Sequence, residues 1–476
     1  MYGSSIQWGM YNSQWVKERV VMYKKSIFIF RRSLRLDDNT GLIAALKSSK
    51  KVLPVFIFTP EQVIKNQYKS DNTVQFMVES LQELDGQLRK KGSKLFYFFG
   101  TQDEVIKKII KTHMCDAVFV NKDYTPYAKK RDKKIAMTCE RQNVVFHAYE
   151  DVLVNPIGSI LTGLQMPFKK YTPYYIKAKR VKVFSPVKQR KKNYIAKNTA
   201  IKYQYKKDLK DFYTKNDNAS VKGGRAHGLR ILKKIKKFSE YDKKRNFLSY
   251  ETTKLSAYIK FGCVSIREVY YAIAQSIHSE DLIRQLYWRD FYYNIAYFYP
   301  HIFGHAMKEK YDAIVWPNKK LFFEKWKKGK TGFPVVDACM RELNTTGFMH
   351  NRGRLITSNF LIKILLVDWR KGEKYFAQKL IDYDPSVNNG NWQWSASTGA
   401  DSQPYFRIFN PWLQSKKFDA TCEYIKKWVP ELDKVKNNDI HRWGQRCTNY
   451  KDIDYPQPIV DYSGMRKKAL FLYKRL

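Results

Sequence analysis

Between residues 26 and 150 the chain alternates short apolar runs with amphipathic stretches. The runs SIFIF (26–30), KVLPVFIF (51–58), KLFYFF (94–99), DAVFV (116–120) and NVVFH (143–147) are nearly unbroken by polar residues. That is the pattern of strands buried on both faces. Helical spacing fills intervals such as 72–91 and 102–113. Strands and helices in turn predict a doubly wound parallel α/β domain, Rossmann-like in architecture. From 225 onward helical periodicity dominates, at 225–240, 256–278, 280–299, 333–344, 350–367 and 371–381. This second half is expected to be all-α. The Lys- and Tyr-rich stretch between the halves is weakly periodic and reads as a solvated connector. The expected division is an extension over 1–25, an α/β domain over 26–150, a linker over 151–224 and a helical domain over 225–476.

Composition sharpens this picture at a few points. The 476 residues carry 88 Lys and Arg against 44 Asp and Glu, a net charge of +44. Self-repulsion of that size points to a polyanionic partner, or to a lysine-rich background that coats every solvated face. Aromatics reach 16%, enough both for core packing and for stacking on bases or a flat cofactor. The six cysteines, at 115, 139, 263, 339, 422 and 447, show no CxxC spacing. They are expected to be free thiols in a reducing compartment, without a metal centre. No apolar run has membrane-spanning length and the start lacks a signal-peptide pattern, so a soluble intracellular protein is expected. After the first strand comes FRRSLRLDDNTGL instead of GxGxxG. A dinucleotide loop is therefore unsupported there.

The densest chemistry lies at 382–411, DYDPSVNNGNWQWSASTGADSQPYFRIFNP. Asp, Asn and Gly favour turns and capping, while Trp-Gln-Trp sets flat surfaces beside polar tips. The mixture suits a pocket for a planar, hydrogen-bonding ligand better than an ordinary helix or strand.

With this stretch, four other segments resemble the photolyase/cryptochrome family of flavoproteins: TTKLSAYIKFG (252–262), QLYWRDFYY (285–293), GKTGFPVVDACMRELNTTGFMHNRGRL (329–355) and DWRKGEKYF (368–376). The likeness runs colinearly from about Ser26 to Val460 and is nearest to the class I cyclobutane pyrimidine dimer photolyases. It implies an α/β antenna domain, a linker and a helical domain holding FAD. It further implies light-driven electron transfer from reduced flavin to a flipped-out pyrimidine dimer.

The resemblance assigns roles position by position. Thr252, Thr253, Lys254, Leu255 and Ser256 would open a helix and hold the FAD phosphates; without the family such a run is an N-cap, and Lys254 stands where the family has arginine. Tyr241 and Arg289 match other flavin-contacting positions. Arg354 and Asp382 match a salt bridge along the flavin, Asp384 an acceptor for its pyrimidine edge, and Asn388 the amide facing its central-ring nitrogen. Trp392, Trp369 and Trp316 match an electron-transfer chain from flavin to surface. Trp288 and Trp394 match the walls of the lesion pocket and Asn351 and Gln285 its polar contacts. Arg245, Arg352 and Arg407 match positions near the DNA backbone or lesion mouth.

Two departures bear on the substrate. Gln285 replaces a glutamate common in bacterial cyclobutane-dimer enzymes, and Leu355 replaces a methionine, a mild apolar swap. Repair of (6-4) photoproducts needs proton-transferring histidines, and Asn351 and Leu355 occupy those positions; His350 matches a non-catalytic one. Cyclobutane dimers are therefore the expected substrate. A cryptochrome-type photoreceptor without repair and a (6-4) photolyase are the alternatives. A folate or deazaflavin antenna is possible, with neither pattern matched by 121–134. The expected partner is DNA containing pyrimidine dimers, bound by a monomer.

Overall fold

The apolar runs form β1 (Tyr23–Phe30), β2 (Ser49–Phe58), β3 (Phe96–Phe99), β4 (Ala117–Asn121) and β5 (Val145–Tyr149). The computed structural model describes residues 22–475 apart from 65 and 278. Of the expected 1–25 extension, residues 1–21 lie outside the described residues. All strand pairs are parallel, in the order β3-β2-β1-β4-β5. Helices 40–48, 71–89, 102–113 and 126–140 make the crossovers. The order reverses about β1, so the crevice of the sheet lies at the carboxyl ends of β1 and β4.

The alternation of β1 sends Ile27 and Ile29 into one core with Ile106, Ile109 and Ile135. Phe28 and Phe30 enter another with Leu42, Phe76, Tyr258 and Phe261. Tyr258 and Phe261 come from the helical half, so one core runs through both parts of the chain.

The predicted helices need three corrections. The stretch 256–278 is two helices, Ser256–Lys260 and Ile266–Ser276. Gly262 between them has φ +62, and a Cβ there would lie 2.2 Å from the Arg32 carbonyl oxygen. This break lets the chain pass against the end of β1, where Leu34 N donates to Phe261 O at 3.0 Å. The stretch 225–240 is the helix Arg225–Lys233 followed by a 3-10 turn, Ile235–Phe238. Pro385–Ala396 lies in a segment expected to be neither helix nor strand, yet it is a regular helix. Its start was written in the chain as Asp384-Pro385, an N-cap followed by proline at the first helical position.

The connector is exposed over most of its lysine-rich part, 179–192, but it is anchored. Tyr171, Tyr174, Tyr175, Tyr194 and Phe212 are buried. Val52 N donates to Asn193 O and Ile195 N to Val52 O, both at 2.9 Å.

Where a dinucleotide loop would stand, FRRSLRLDDN forms a clamp between the halves. Arg35 Nη2 meets Asp151 at 2.7 Å, and Arg267 spans Asp38 at 2.8 Å and Asp151 at 3.0 Å. Burial opposes ionisation of Asp151, but Arg35 and Arg267 outweigh it and hold the carboxyl below its ordinary value. Among the described residues no helix is long and apolar enough to cross a membrane. None of their His, Cys, Asp and Glu side chains group as a metal site.

Candidate functional site

The helix 385–396 is the spine of the site. Asp384 Oδ1 accepts from Ser386 N at 3.2 Å and Val387 N at 3.4 Å, fixing the first turn. Asn388 and Trp392, four residues apart, share a face. Trp394, two residues on, points away from Trp392; accordingly Trp392 is buried and Trp394 half-buried. Two glycines let neighbours close in: a Cβ at Gly390 would lie 2.2 Å from the Tyr292 ring, and one at Gly372 would lie 2.2 Å from Trp392 Cη2.

Two buried carboxylates stand before this helix. Asp382 accepts from Arg354 Nη2 at 3.0 and 3.2 Å and from Ser256 Oγ at 2.6 Å. Asp384 Oδ2 accepts from Tyr293 Oη at 2.5 Å and from the Arg32 guanidinium. Arg32 also donates to Lys260 O at 3.1 Å and Asp123 Oδ1 at 3.4 Å. Burial works against ionisation of Asp384, but Arg32 first and Arg289 next hold its carboxyl down to about 2. Arg32 and Tyr293 were not foreseen as site residues. Nothing local in the sequence pairs Arg32 with a carboxylate 352 positions away.

Glu373 was also missed. Asn388 Nδ2 donates to its Oε1 at 2.8 Å and to its backbone oxygen at 3.2 Å. The Oδ1 end of the Asn388 amide is then the end left for a ligand. Burial raises the Glu373 carboxyl to about 7, with the Asn388 bond a smaller opposing effect. A folded-state value above the unfolded one means that the folded protein binds the extra proton between pH 4.5 and 7. Stability therefore falls across that window as pH rises. Glu373→Gln keeps the acceptor and removes the charge. The variant should gain up to about 3 kcal/mol over the parent above pH 7 and little at pH 4.5, read by urea unfolding. A pH-independent difference would contradict the burial of that carboxyl.

The 252–256 run differs from its expected form. Lys254 has φ +51, and the helix beginning at Ser256 has only five residues. The Ser256 hydroxyl is given to Asp382, so a helix start alone does not make the anion site expected here. Lys254 Nζ lies 5.6 Å above the Phe348 ring, with the Arg354 guanidinium 5.4 Å from the same ring. Arg289 Nη1 donates to Val152 O at 2.6 Å and sits over Tyr293 at 4.7 Å. Burial raises the half-buried Tyr241 hydroxyl to about 12.

Lys260 is half-buried, and its backbone oxygen accepts from Arg32 Nε at 3.1 Å. Burial first and Arg32 second push its ammonium down to about 7. Arginines, the carboxylates they pair with and the Asn388 amide stand around the start of the 385–396 helix. Those residues would suit FAD: Lys254 toward its phosphates, Arg289 as a further contact, and Arg354 with Asp382, Asp384 and Asn388 along the ring system.

Trp392, Trp369 and Trp316 are all buried in one apolar cluster. Trp369 and Gly372 lie one turn apart at the start of the 369–379 helix, and Gly372 abuts Trp392. Trp326, which sequence reasoning passed over, places its ring 6.3 Å from that of Trp392.

Of the residues expected at the lesion, Trp288 carries Tyr171 stacked on it at 3.6 Å and 7°, so one face of its indole is already covered. Gln285 Nε2 is tied back to Asp281 O at 3.0 Å, and Arg245 pairs with Asp281 at 3.1 Å. Arg352 donates to Asn246 Oδ1 at 2.5 Å and lies 4.3 Å over Phe418. Asn351 and Arg407 are exposed, and Leu355 is half-buried one turn beyond Asn351. His350 Nδ1 accepts from Arg352 N at 3.1 Å, and burial pushes its ring down to about 4. A neutral capping histidine is no general acid.

Residues 26–191 match the family model for DNA photolyase, and 282–475 that for the FAD binding domain of DNA photolyase. The deoxyribodipyrimidine photo-lyase of Alkalihalophilus pseudofirmus is 36% identical over 473 residues, covering 94% of this chain and 97% of that one. The crystal structure of an archaeal photolyase from Sulfolobus tokodaii, with two FAD molecules, superposes with a TM-score of 0.86 at 42% identity, covering 95% of this chain and 100% of that one. A Synechocystis cryptochrome reaches 0.87 at 27% identity, covering 94% and 99%. Matched along almost its whole length by sequence and by fold, the chain belongs to the DNA photolyase family and carries that family's FAD-binding domain.

Proposed function

We propose that this chain is a deoxyribodipyrimidine photo-lyase, a lyase acting on cyclobutane pyrimidine dimers in DNA. The observation that carries this reading is the lesion-side set: a half-buried Trp288 backed by Tyr171, with Trp394 and an exposed Asn351, beside the residues that fit FAD. Reduced FAD, when bound, supplies the light-released electron that opens the dimer ring. The rest of the work falls to the protein. A dimer stacks poorly in duplex, so its extrusion is favoured over that of a normal base. Trp288 and Trp394 receive its flat faces, and Asn351 and Gln285 its polar edges. Arg245, Arg352 and Arg407 neutralise phosphates. Asn351 and Leu355, without imidazoles, together with a neutral His350, disfavour (6-4) chemistry.

Trp392, Trp369 and Trp316 carry electrons inward to re-reduce FAD. The chain acts as an intracellular monomer, and the α/β part, 26–150, holds any antenna. Folate, deazaflavin and a second FAD (the S. tokodaii photolyase holds two FAD molecules) are separated by an absorption spectrum.

Trp288→Ala tests the lesion pocket. Losing one stacked base, about 1–3 kcal/mol, should weaken binding to a dimer-containing duplex about 5- to 150-fold. Binding to undamaged duplex should not change. Equal losses on both duplexes would place Trp288 outside the pocket. Specific dimer binding without repair would favour the photoreceptor reading.

A further inference from the structure

Trp316 is the member of the tryptophan set that lies nearest an open surface. It is 8% exposed, while its neighbour Val315 is 83% exposed. The last helix, Tyr462–Lys474, packs Tyr473 against it at 6.1 Å. That helix and the residue after it bring Lys467, Lys468, Phe471 and Arg475 beside Pro317 and Leu366. Together they line a shallow groove of about 490 Å³. Phe471 is 64% exposed, with the Arg475 guanidinium 5.3 Å from its ring. The described residues lining the groove include three cations and no carboxylate. Lys319 and Lys320, just beyond Pro317, are exposed as well.

We propose that this groove docks a small acidic one-electron carrier protein, which returns an electron to Trp316 after light has withdrawn one from it. The proposal rests on the electron-transfer reading of Trp392, Trp369 and Trp316. Withdrawal of one electron leaves an indole radical cation. A reduced carrier gives up one electron, is itself oxidised by one, and restores the neutral indole. No bond forms or breaks and no proton moves. Phe471, Pro317 and Leu366 supply an apolar centre, Tyr473 joins the last helix to that indole, and the surrounding cations select an acidic face and speed its encounter. The cations would also suit nucleic acid. The nearby redox-active indole favours a protein carrier.

The FAD-loaded, oxidised protein is illuminated with reduced plant-type ferredoxin, an acidic [2Fe–2S] protein, or with dithiothreitol, and loss of oxidised flavin absorbance is followed against dark controls. With ferredoxin, the light-dependent rate should fall about tenfold or more in Lys467→Glu/Lys468→Glu, and should fall with added salt in the unmodified protein. With dithiothreitol the rate should not change. A ferredoxin rate indifferent to both charge reversal and salt overturns the proposal. So does charge reversal that weakens binding of an undamaged duplex while sparing the ferredoxin rate, which would make the groove a DNA surface. Photoreduction by dithiothreitol but not ferredoxin in the unmodified protein sinks the docking alone. Photoreduction by neither donor sinks the tryptophan route and the docking with it.

Discussion

Arg32→Met is expected to destabilise the protein by about 3–5 kcal/mol and to strip it of FAD, because it leaves the Asp384 carboxylate buried without its strongest partner. The side chains involved are 15% and 7% exposed, so solvent cannot take over the role of the guanidinium. The penalty has a defined pH dependence. In the parent, Asp384 is held down to about 2 from an ordinary 3.8, so its ion pair stabilises above 3.8 and is lost as pH falls toward 2. In the variant the carboxylate, left with the Tyr293 hydroxyl and Arg289, is a burden near neutrality that protonation relieves. The difference between parent and variant should therefore shrink in acid. Urea unfolding across pH, with flavin fluorescence for retention, reads both effects. Adding Asp384→Asn to Arg32→Met should recover part of the stability, since the lone charge is gone. A loss that is the same at every pH would show that Arg32 acts through packing alone.

Trp392→Phe should abolish photoreduction of the oxidised flavin, yet leave repair by chemically pre-reduced protein intact. Phenylalanine preserves most of the apolar contact with Phe376 and Trp326, but its ring is far harder to oxidise than indole. Stability should fall by about 1–3 kcal/mol, because the smaller ring leaves a gap where the indole meets Gly372. Photoreduction that survives in Trp392→Phe would mean that electrons reach the flavin without this residue. Trp326→Phe separates two routes inward: an unchanged rate is expected if Trp369 is the next donor, and a large drop if Trp326 is.

Much of this was legible in the chain. Continuous apolar runs announced β1, β2 and β4 because a parallel strand covered on both faces has no polar side to show; the edge strands β3 and β5 were also found, but both are partly exposed instead of buried. The helix at 280–298 was equally plain. Gly262 was not read as a break, since helical spacing resumes on both sides of it. Only the approach of the Arg32 carbonyl explains why the chain must turn there. Asp384-Pro385 did signal a helix start, but the surrounding Asn and Gly residues read as turns. Among the site residues, Arg354, Asp382, Asn388 and the tryptophans followed from family likeness. Arg32, Glu373, Tyr171 and Trp326 did not. Their roles depend on partners brought together by tertiary packing, as with the 113 positions from Tyr171 to Arg284 or the 352 from Arg32 to Asp384.

Light-driven repair is read by illuminating the purified, FAD-loaded and reduced protein with blue light in the presence of an oligonucleotide containing one cyclobutane thymine dimer. Recovery of intact thymines, dependent on light and absent in the dark, is the predicted result. A protein that holds its flavin and binds the oligonucleotide, yet returns the dimer unchanged after illumination, would contradict it.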